Sequence, residues 1–377
     1  MPEAAPSPAP QRLLSLDALR GFDMFWILGF GGLLESLAQR YFPEAPMGKL
    51  ILTQLDHVEW EGFHFEDLIF PLFLFIAGVS MALALPKRVA RDGKCRTVGH
   101  LILRALVIFI VGVIYSGGLS HGKPQDSWMD VLHQVRWLGV LQRIGVASAA
   151  AGMLSLFLRS RGLLIAAATL LIGYFLMLKF IPVPGFGAGD FAEGHNLADY
   201  LDKLWLPGRP YKGLDHDPEG ILSTLPAIAT ALLGMVAGRG LSSPASLGRK
   251  VGELLLVGAA MVALGWLWAP WFPVIKKIWT SSFVLVAGGW SAILLGLFYW
   301  VIDGIKTRQP IVRPFVWVGA NPIFLYLVSG LEFFREIAHR IVGHPQGEWA
   351  WVVSLTTFLL MLLTARWLYK NRVYIRI

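Results

Sequence analysis

The chain has 377 residues, 55% hydrophobic and only 15% charged, where an ordinary soluble domain carries roughly 25% charged residues. With a mean hydropathy of +0.58, the composition excludes a water-soluble globular protein and leaves a helical protein that crosses a bilayer many times. The formal net charge of +8 sits in short connectors, not in a compact basic domain, which excludes nucleic acid as a partner. The single cysteine, Cys95, excludes a disulfide framework and a cysteine-based metal site.

Residues 1–11 are rich in Pro and Ala and read as a disordered cytoplasmic tail, without the basic start and cleavage site of a signal peptide. Residues 12–377 read as one all-α transmembrane domain of about ten helices in a single bundle. Apolar windows of spanning length lie near 17–38, 68–85, 101–117, 139–158, 163–182, 221–239, 251–269, 280–302, 315–334 and 350–368.

The first window carries Asp17, Arg20 and Asp23. Lipid exposure of such groups costs several kcal/mol, so they are expected to face the bundle interior, with Asp17 and Arg20 paired at helical spacing. Arg104, Arg143 and Glu332 fall under the same expectation.

Before the second window runs His57-Val58-Glu59-Trp60-Glu61-Gly62-Phe63-His64-Phe65-Glu66-Asp67-Leu68-Ile69-Phe70-Pro71. It places two histidines and a run of acids at the mouth of a membrane helix, where imidazole is suited to moving protons near neutral pH. Asp67 lies at the helix start, where an acid is favoured by the dipole. It could equally orient His57 and fix its tautomer, and spacing leaves both roles open. His57 and His64 are two helical turns apart, but close metal-ligand spacing is absent and no metal is expected.

Gln142-Arg143, in the fourth window, puts a fixed cation where an anionic group could be held. Asp215-His216-Asp217-Pro218-Glu219-Gly220 reads equally as a capped turn and, beside Trp205, Arg209 and Tyr211, as a site for a sugar or an amine. Lys276-Lys277 with Trp279 either holds an anion or snorkels to the interface. Asn321-Pro322 interrupts the ninth window, as happens where a polar cavity opens. Glycines within the windows are expected to serve helix packing.

With the N-terminus in the cytoplasm, inward-facing segments hold about 19 Lys and Arg against about 11 outside, the bias that sets membrane topology. Both termini are then cytoplasmic. The long connectors 39–67, 118–138, 183–220 and 270–279 then all lie on the outer side, which becomes the expected working face.

Five motifs follow one another along the chain: Arg12-Leu13-Leu14-Ser15-Leu16-Asp17-Ala18-Leu19-Arg20-Gly21, His57-x-x-Trp60-x-Gly62 followed by Asp67-Leu68-Ile69-Phe70-Pro71, Gly139-Val140-Leu141-Gln142-Arg143-Ile144-Gly145, Asp217-Pro218-Glu219-Gly220 and the segment from Lys276 to Ser282. Together and in this order they resemble the membrane-bound heparan-α-glucosaminide N-acetyltransferase family, in particular its bacterial homologues, within the wider group of transmembrane acyltransferases. The resemblance implies acetyl transfer from acetyl-CoA to the amino group of a terminal glucosamine, with the catalytic histidine at His57. It also implies a donor supplied from the cytosol and an acceptor modified on the opposite face. Some relatives carry an Asn late in the first span, where this chain has Gly29, Gly31 and Gly32, and Asp23-Met24-Phe25-Trp26 places it in a bacterial branch.

The resulting expectation is an inner-membrane acyltransferase. His57 acts as general base or transient acetyl acceptor, and Asp67 orients it. Trp60, Gln142, Arg143, Asp217, Glu219, Lys276, Trp279 and Asn321 shape the substrate site. Expected partners are the bilayer, acetyl-CoA as donor substrate and an amino-sugar or glycan acceptor, with a homodimer as the assembly considered. The alternative is an amino-sugar transporter, which would need no acyl donor.

Overall fold

Apolar runs that enter hydrocarbon can satisfy their backbone only internally, so they fold as helices. The computed structural model describes residues 13–118, 127–214, 216–305, 310–345, 349 and 351–375. The expected tail at 1–11, together with Arg12, Asp215, Lys306, Arg308 and Arg376, lies outside them. In chain order the helices are α1 (Leu14–Phe25), a π-turn (Trp26–Phe30), α2 (Gly31–Tyr41), α3 (Pro46–Leu55), α4 (Ile69–Tyr115), α5 (Trp128–Gln134), α6 (Val140–Phe157), α7 (Ser160–Phe180) and α8 (Leu197–Trp205). They continue as α9 (Thr224–Leu241), α10 (Leu247–Trp268), α11 (Ser281–Phe298), α12 (Arg313–Gly319), α13 (Pro322–Ser329), α14 (Phe333–Val342) and α15 (Trp351–Lys370). Extended pairing among the described residues is limited to isolated bridges.

Seven helical stretches among these residues are long and apolar enough to cross a bilayer. The expected count of about ten is not reached by uninterrupted helices, for two physical reasons. First, the stretch Phe65–Tyr115 contains two of the expected windows, and Gly93, at φ 77° and ψ 167°, breaks it. Met81 and Leu101 would stand about 30 Å apart on a straight helix, yet both lie against Gly152 of α6, so α4 folds back on itself. Second, window 17–38 is interrupted by the π-turn with Gly29 at φ 104°, and window 315–334 is split between α12 and α13. At that split Pro322 begins the new helix, where its missing N–H costs little.

Glycines set how closely the helices approach. A Cβ on Gly78 of α4 would collide with the Ala231 carbonyl of α9, and one on Gly234 of α9 with the Phe75 carbonyl of α4. Gly21 of α1 and Gly319 of α12 form a second such backbone-to-backbone contact. Small residues at membrane helix crossings act in this way. The main core joins Leu19 of α1, Phe75 and Val79 of α4, Ala147 of α6, Leu171 of α7, Leu232 and Met235 of α9 and Phe283 of α11. A second cluster packs α1 and the π-turn on α13, α14 and α15.

The outer helices show the opposite pattern. Only 22% of the most apolar stretch of α10 and 28% of those of α7 and α15 are covered by protein. Leu256, Ile165 and Leu363 point outward from them. Helices that are apolar but uncovered need lipid on the uncovered face. The chain is a multi-pass, all-helical membrane protein. Arg20 lies within it as expected, donating to Asp17 (3.3 Å), to the Gly319 carbonyl (3.3 Å) and to Ser80 Oγ (2.7 Å). Glu332 departs from expectation: it is exposed at the start of α14 and faces Arg335 at 3.8 Å.

Candidate functional site

The connectors expected on one side do meet there. Residues from 56–64, 135–139, 206–222 and 273–279 surround the mouth of a cavity of about 540 Å³, whose walls come from α1, the π-turn, α4, α6 and α13. That volume lies within the range of small-molecule sites. His57, Arg136, Tyr211, Glu219, Lys276 and Lys277 line its polar mouth, while Met24, Ile27, Phe73, Ile144, Ile323 and Tyr326 line its apolar depth.

Asp67 organises the entrance. It sits in a 3-10 turn, Phe65–Leu68, that leads into α4, and its side chain is 1% exposed. One oxygen, Oδ2, accepts from the backbone N–H of His64 (3.0 Å) and Val58 (3.3 Å). The other, Oδ1, lies 3.0 Å from His57 Nδ1 and 3.3 Å from Lys276 Nζ. Helix capping and orientation of His57 are therefore not alternatives, since a carboxylate has lone pairs enough for both. An acceptor at Nδ1 favours the tautomer with the proton on Nδ1 and a free lone pair on Nε2. The ring is 56% exposed, so that lone pair can meet a substrate.

Lys276 arrives from a loop fastened to the His57 segment. Glu61 and Ile275 pair as an antiparallel bridge, and Gly62 N–H donates to the Val274 carbonyl at 2.8 Å. Thr280 Oγ1 accepts from Ile275 N–H (3.0 Å) and donates to the Pro273 carbonyl (2.7 Å). Tyr174 OH donates to Ile278 O at 2.6 Å. These bonds hold Trp279 in the left-handed region, at φ 52°, where bulky residues are rarely found. The Trp279 ring is 1% exposed, bonds Thr230 Oγ1 through Nε1 at 3.2 Å and forms part of the cavity wall. Burial pushes the Lys276 ammonium below its usual value, and Asp67 acts against that shift.

A second charged group faces the same mouth. Arg136 donates to both oxygens of Asp217 (2.9 and 2.8 Å) and to Glu219 Oε2 (2.7 Å), with its guanidinium 4.6 Å from the Tyr211 ring centre. Planar bidentate pairs of this kind fix orientation as well as charge. Asp202 of α8 accepts from the N–H groups of Ile221 (2.8 Å) and Asp217 (3.4 Å) and so clamps the Asp217–Ile221 turn. Burial pushes the Asp202 carboxyl up to about 6. Burial and the neighbouring Asp217 also push Glu219 up, against Arg143 and Arg136.

The expected site residues do not all stand in one place. His57, Asp67, Glu219, Lys276 and Trp279 line the cavity together. Asp217 and Arg143 stand one layer behind. Arg143 is buried, bonds Ser223 Oγ and the Gly220 carbonyl, and lies 5.0 Å from the Trp279 ring centre, so it supports the wall rather than lining it. Trp60 lies to one side, donating to the Phe191 carbonyl (3.0 Å) beneath the Lys277 ammonium.

Gln142 and Asn321 do not join the site. Gln142 is buried against Gly112 and Gly139, and Asn321 is taken up by the chain end, bonding Val373 O (3.0 Å) and Ile375 N–H (2.7 Å). Asp17 and Arg20 belong to the α1–α12 contact, and Asp23 is wholly buried on α1 with neither oxygen meeting a donor among the described residues.

Among the described residues, no three His, Cys, Asp or Glu side chains stand together as a metal site. The His64 ring turns away to the Asp56 carbonyl at 2.9 Å. Arg136 and Asp202 were absent from the expected set. The partners of Arg136 lie 81 and 83 residues away and those of Asp202 15 and 19, beyond any local periodicity.

Comparison with known proteins adds a lineage to this geometry. A human heparan-alpha-glucosaminide N-acetyltransferase is 27% identical over 98% of this chain and 61% of its own length. The mouse protein of the same name is 25% identical over 85% of this chain and 56% of its own length. This chain thus spans about three-fifths of the length of those relatives. The family description "Heparan-alpha-glucosaminide N-acetyltransferase, catalytic" matches residues 12–254, which include His57, Asp67, Arg136, Arg143, Asp217 and Glu219. With well over half of its residues in that match, the chain belongs to the heparan-alpha-glucosaminide N-acetyltransferase catalytic family.

Proposed function

We propose that the protein is a membrane-embedded acyltransferase that moves an acetyl group from acetyl-CoA to the amino group of a glucosamine-containing acceptor. The observation that carries this reading is the His57–Asp67 pair, at 3.0 Å, on the rim of a cavity of about 540 Å³. Family membership supports the same chemistry.

In the proposed reaction, the neutral acceptor amine attacks the thioester carbonyl carbon and the carbonyl electrons move onto oxygen. His57 Nε2 takes the amine proton as the C–N bond forms. The C–S bond then breaks and the departing sulfur takes the proton from His57, so that an amide and a free thiol result. Asp67 keeps Nδ1 protonated throughout and offsets the charge that His57 gains. Glu219, with Arg136 behind it, is the acceptor side of the mouth, where a carboxylate can receive amine or hydroxyl donors.

The basic run from Lys87 to Arg96 surrounds the Gly93 break where α4 folds back, at the end of that helix away from His57, which supports cytoplasmic termini and an acceptor on the outer face. Ten crossings are the reading that fits this arrangement, the two arms of α4 counting separately and the two broken windows counting once each.

The test uses purified full-length protein and His57→Ala with radiolabelled acetyl-CoA and a panel of glucosamine-containing acceptors. Label transfer by wild type and none by the variant is expected. A wild type that neither transfers label nor binds acetyl-CoA would defeat the proposal.

A further inference from the structure

We propose that Lys276 is a catalytic residue, its ammonium donating a hydrogen bond to the thioester carbonyl oxygen as that oxygen becomes an oxyanion. The inference rests on the acyl-transfer reading above and supplies what that reading lacks, a group to meet the developing negative charge.

The first support is the position of Nζ. It lies 3.1 Å from His57 Nδ1 and 3.4 Å from Nε2. Near-equal distances to both nitrogens put it over the face of the imidazole, not in the ring plane where either lone pair points. Nδ1–H thus remains with Asp67, and the Nε2 lone pair stays open. An ammonium has three N–H donors. Asp67 Oδ1, at 3.3 Å, accepts one, and the ring face offers no in-plane acceptor for the others. Lys276 lines the cavity, so donors remain on the side where substrate would lie.

The second support is elimination among the cations of the mouth. Arg136 is spent on Asp217 and Glu219. Lys277 is tied to Glu193 at 2.9 Å and rests over the Trp60 ring. Of these three described cations, Lys276 alone stands beside the imidazole.

The third support is rigidity. An oxyanion donor is effective when it is held in place before charge develops. The bridge from Ile275 to Glu61, the Thr280 bonds and the left-handed Trp279 fasten the Lys276 backbone from both sides.

During the reaction, the C–N bond forms, the π electrons of the carbonyl move to oxygen, and a Lys276 N–H donates to that oxygen. No proton leaves Lys276. When the C–S bond breaks, the electrons return and the hydrogen bond to the carbonyl weakens. The positive charge on Lys276 is offset by the oxyanion at the moment His57 becomes imidazolium.

The experiment compares full-length wild type, Lys276→Met and Lys276→Arg with acetyl-CoA and a glucosamine acceptor, alongside acetyl-CoA binding by calorimetry. Removing one oxyanion donor lowers kcat by about 10²- to 10³-fold. Lys276→Met is therefore expected to lose that much in kcat with both KM values and acetyl-CoA affinity nearly unchanged. Lys276→Arg, which keeps cationic donors, is expected to regain part of the loss. A merely structural lysine would shift KM and binding together with kcat, and that pattern overturns the inference. A Met variant with wild-type kcat overturns it too, while leaving the acyl-transfer reading intact. A wild type inert to acetyl-CoA removes both.

Discussion

Replacing Asp67 by Asn keeps the side chain's shape but turns one of its two acceptor atoms into a donor. In the wild type, Oδ2 receives two backbone N–H groups, from His64 and Val58, while Oδ1 faces His57 Nδ1 and the Lys276 ammonium. An amide has a single acceptor oxygen. If that oxygen faces His57, the two backbone donors confront an NH2 group, and leaving a buried donor unsatisfied costs about 1 to 3 kcal/mol. If it faces the backbone, the entry to α4 survives and the NH2 meets Nδ1. Nδ1 must then accept, the ring proton moves to Nε2, and the lone pair needed for proton abstraction is lost. The second arrangement satisfies more groups and should prevail. A wrong-tautomer histidine in an acid–histidine pair costs up to about 10⁴-fold in kcat, so Asp67→Asn is expected to lose about 10² to 10⁴ with a modest drop in thermal stability. Initial rates of labelled acetyl transfer, with the melting temperature measured in the same detergent, check this. A variant that melts like wild type and turns over within about threefold of it would refute the tautomer argument.

Two further expectations bear on the acceptor side. Glu219→Gln keeps the shape of the mouth but loses a charged acceptor, and a hydrogen bond to a charged group is worth about 1.5 to 3 kcal/mol. The acceptor KM should rise by one to two orders of magnitude while acetyl-CoA binding is unaffected, and an unchanged acceptor KM would remove Glu219 from that role. Asp202, raised from 3.8 to about 6 by burial, binds more protons folded than unfolded between those values. Stability therefore falls as pH rises through that window, because the native state binds the extra proton. Asp202→Asn, which cannot ionise, should lose this slope, so the melting temperature of wild type relative to the variant declines from pH 4 to pH 7. Parallel curves would show that Asp202 does not titrate as described.

What the sequence disclosed and what it hid follow from the range of the forces involved. Hydropathy is local, so every expected window falls on helix, from α1 to α15. The breaks were harder. Asn321-Pro322 announces itself because proline lacks an N–H, whereas Gly29 and Gly93 look like any other span glycine until their backbone angles are known. The His57–Asp67 pair could be anticipated because both residues lie within one turn-rich entry to a helix. Lys276 is 219 residues from His57, and only the crossing of α4 and α11 brings them together. The same distance effect hid Arg136. Gln142 and Asn321 have the chemistry of a polar site, but packing turned one toward Gly112 and the other toward the chain end.

The cavity's depth bears on how two substrates could reach one base. Along the turn before α4 and the first residues of that helix it extends from Asp67 to Phe73, about 9 Å along the helix axis and under a third of the hydrocarbon thickness. Below it Ile76, Val79 and Met81 are buried, and α4 meets α9 backbone to backbone at Gly78 and Gly234. A donor entering from the far face would meet a closed seam there. If these helices stay so packed during the proposed reaction, donor and acceptor would share one doorway, and an unreactive analogue of either should compete with the other. A donor from the far side would instead require the α4–α9 seam to part in each turnover, a motion of microseconds to milliseconds. A cysteine pair locking α4 to α9 would then stop the enzyme without touching its chemistry.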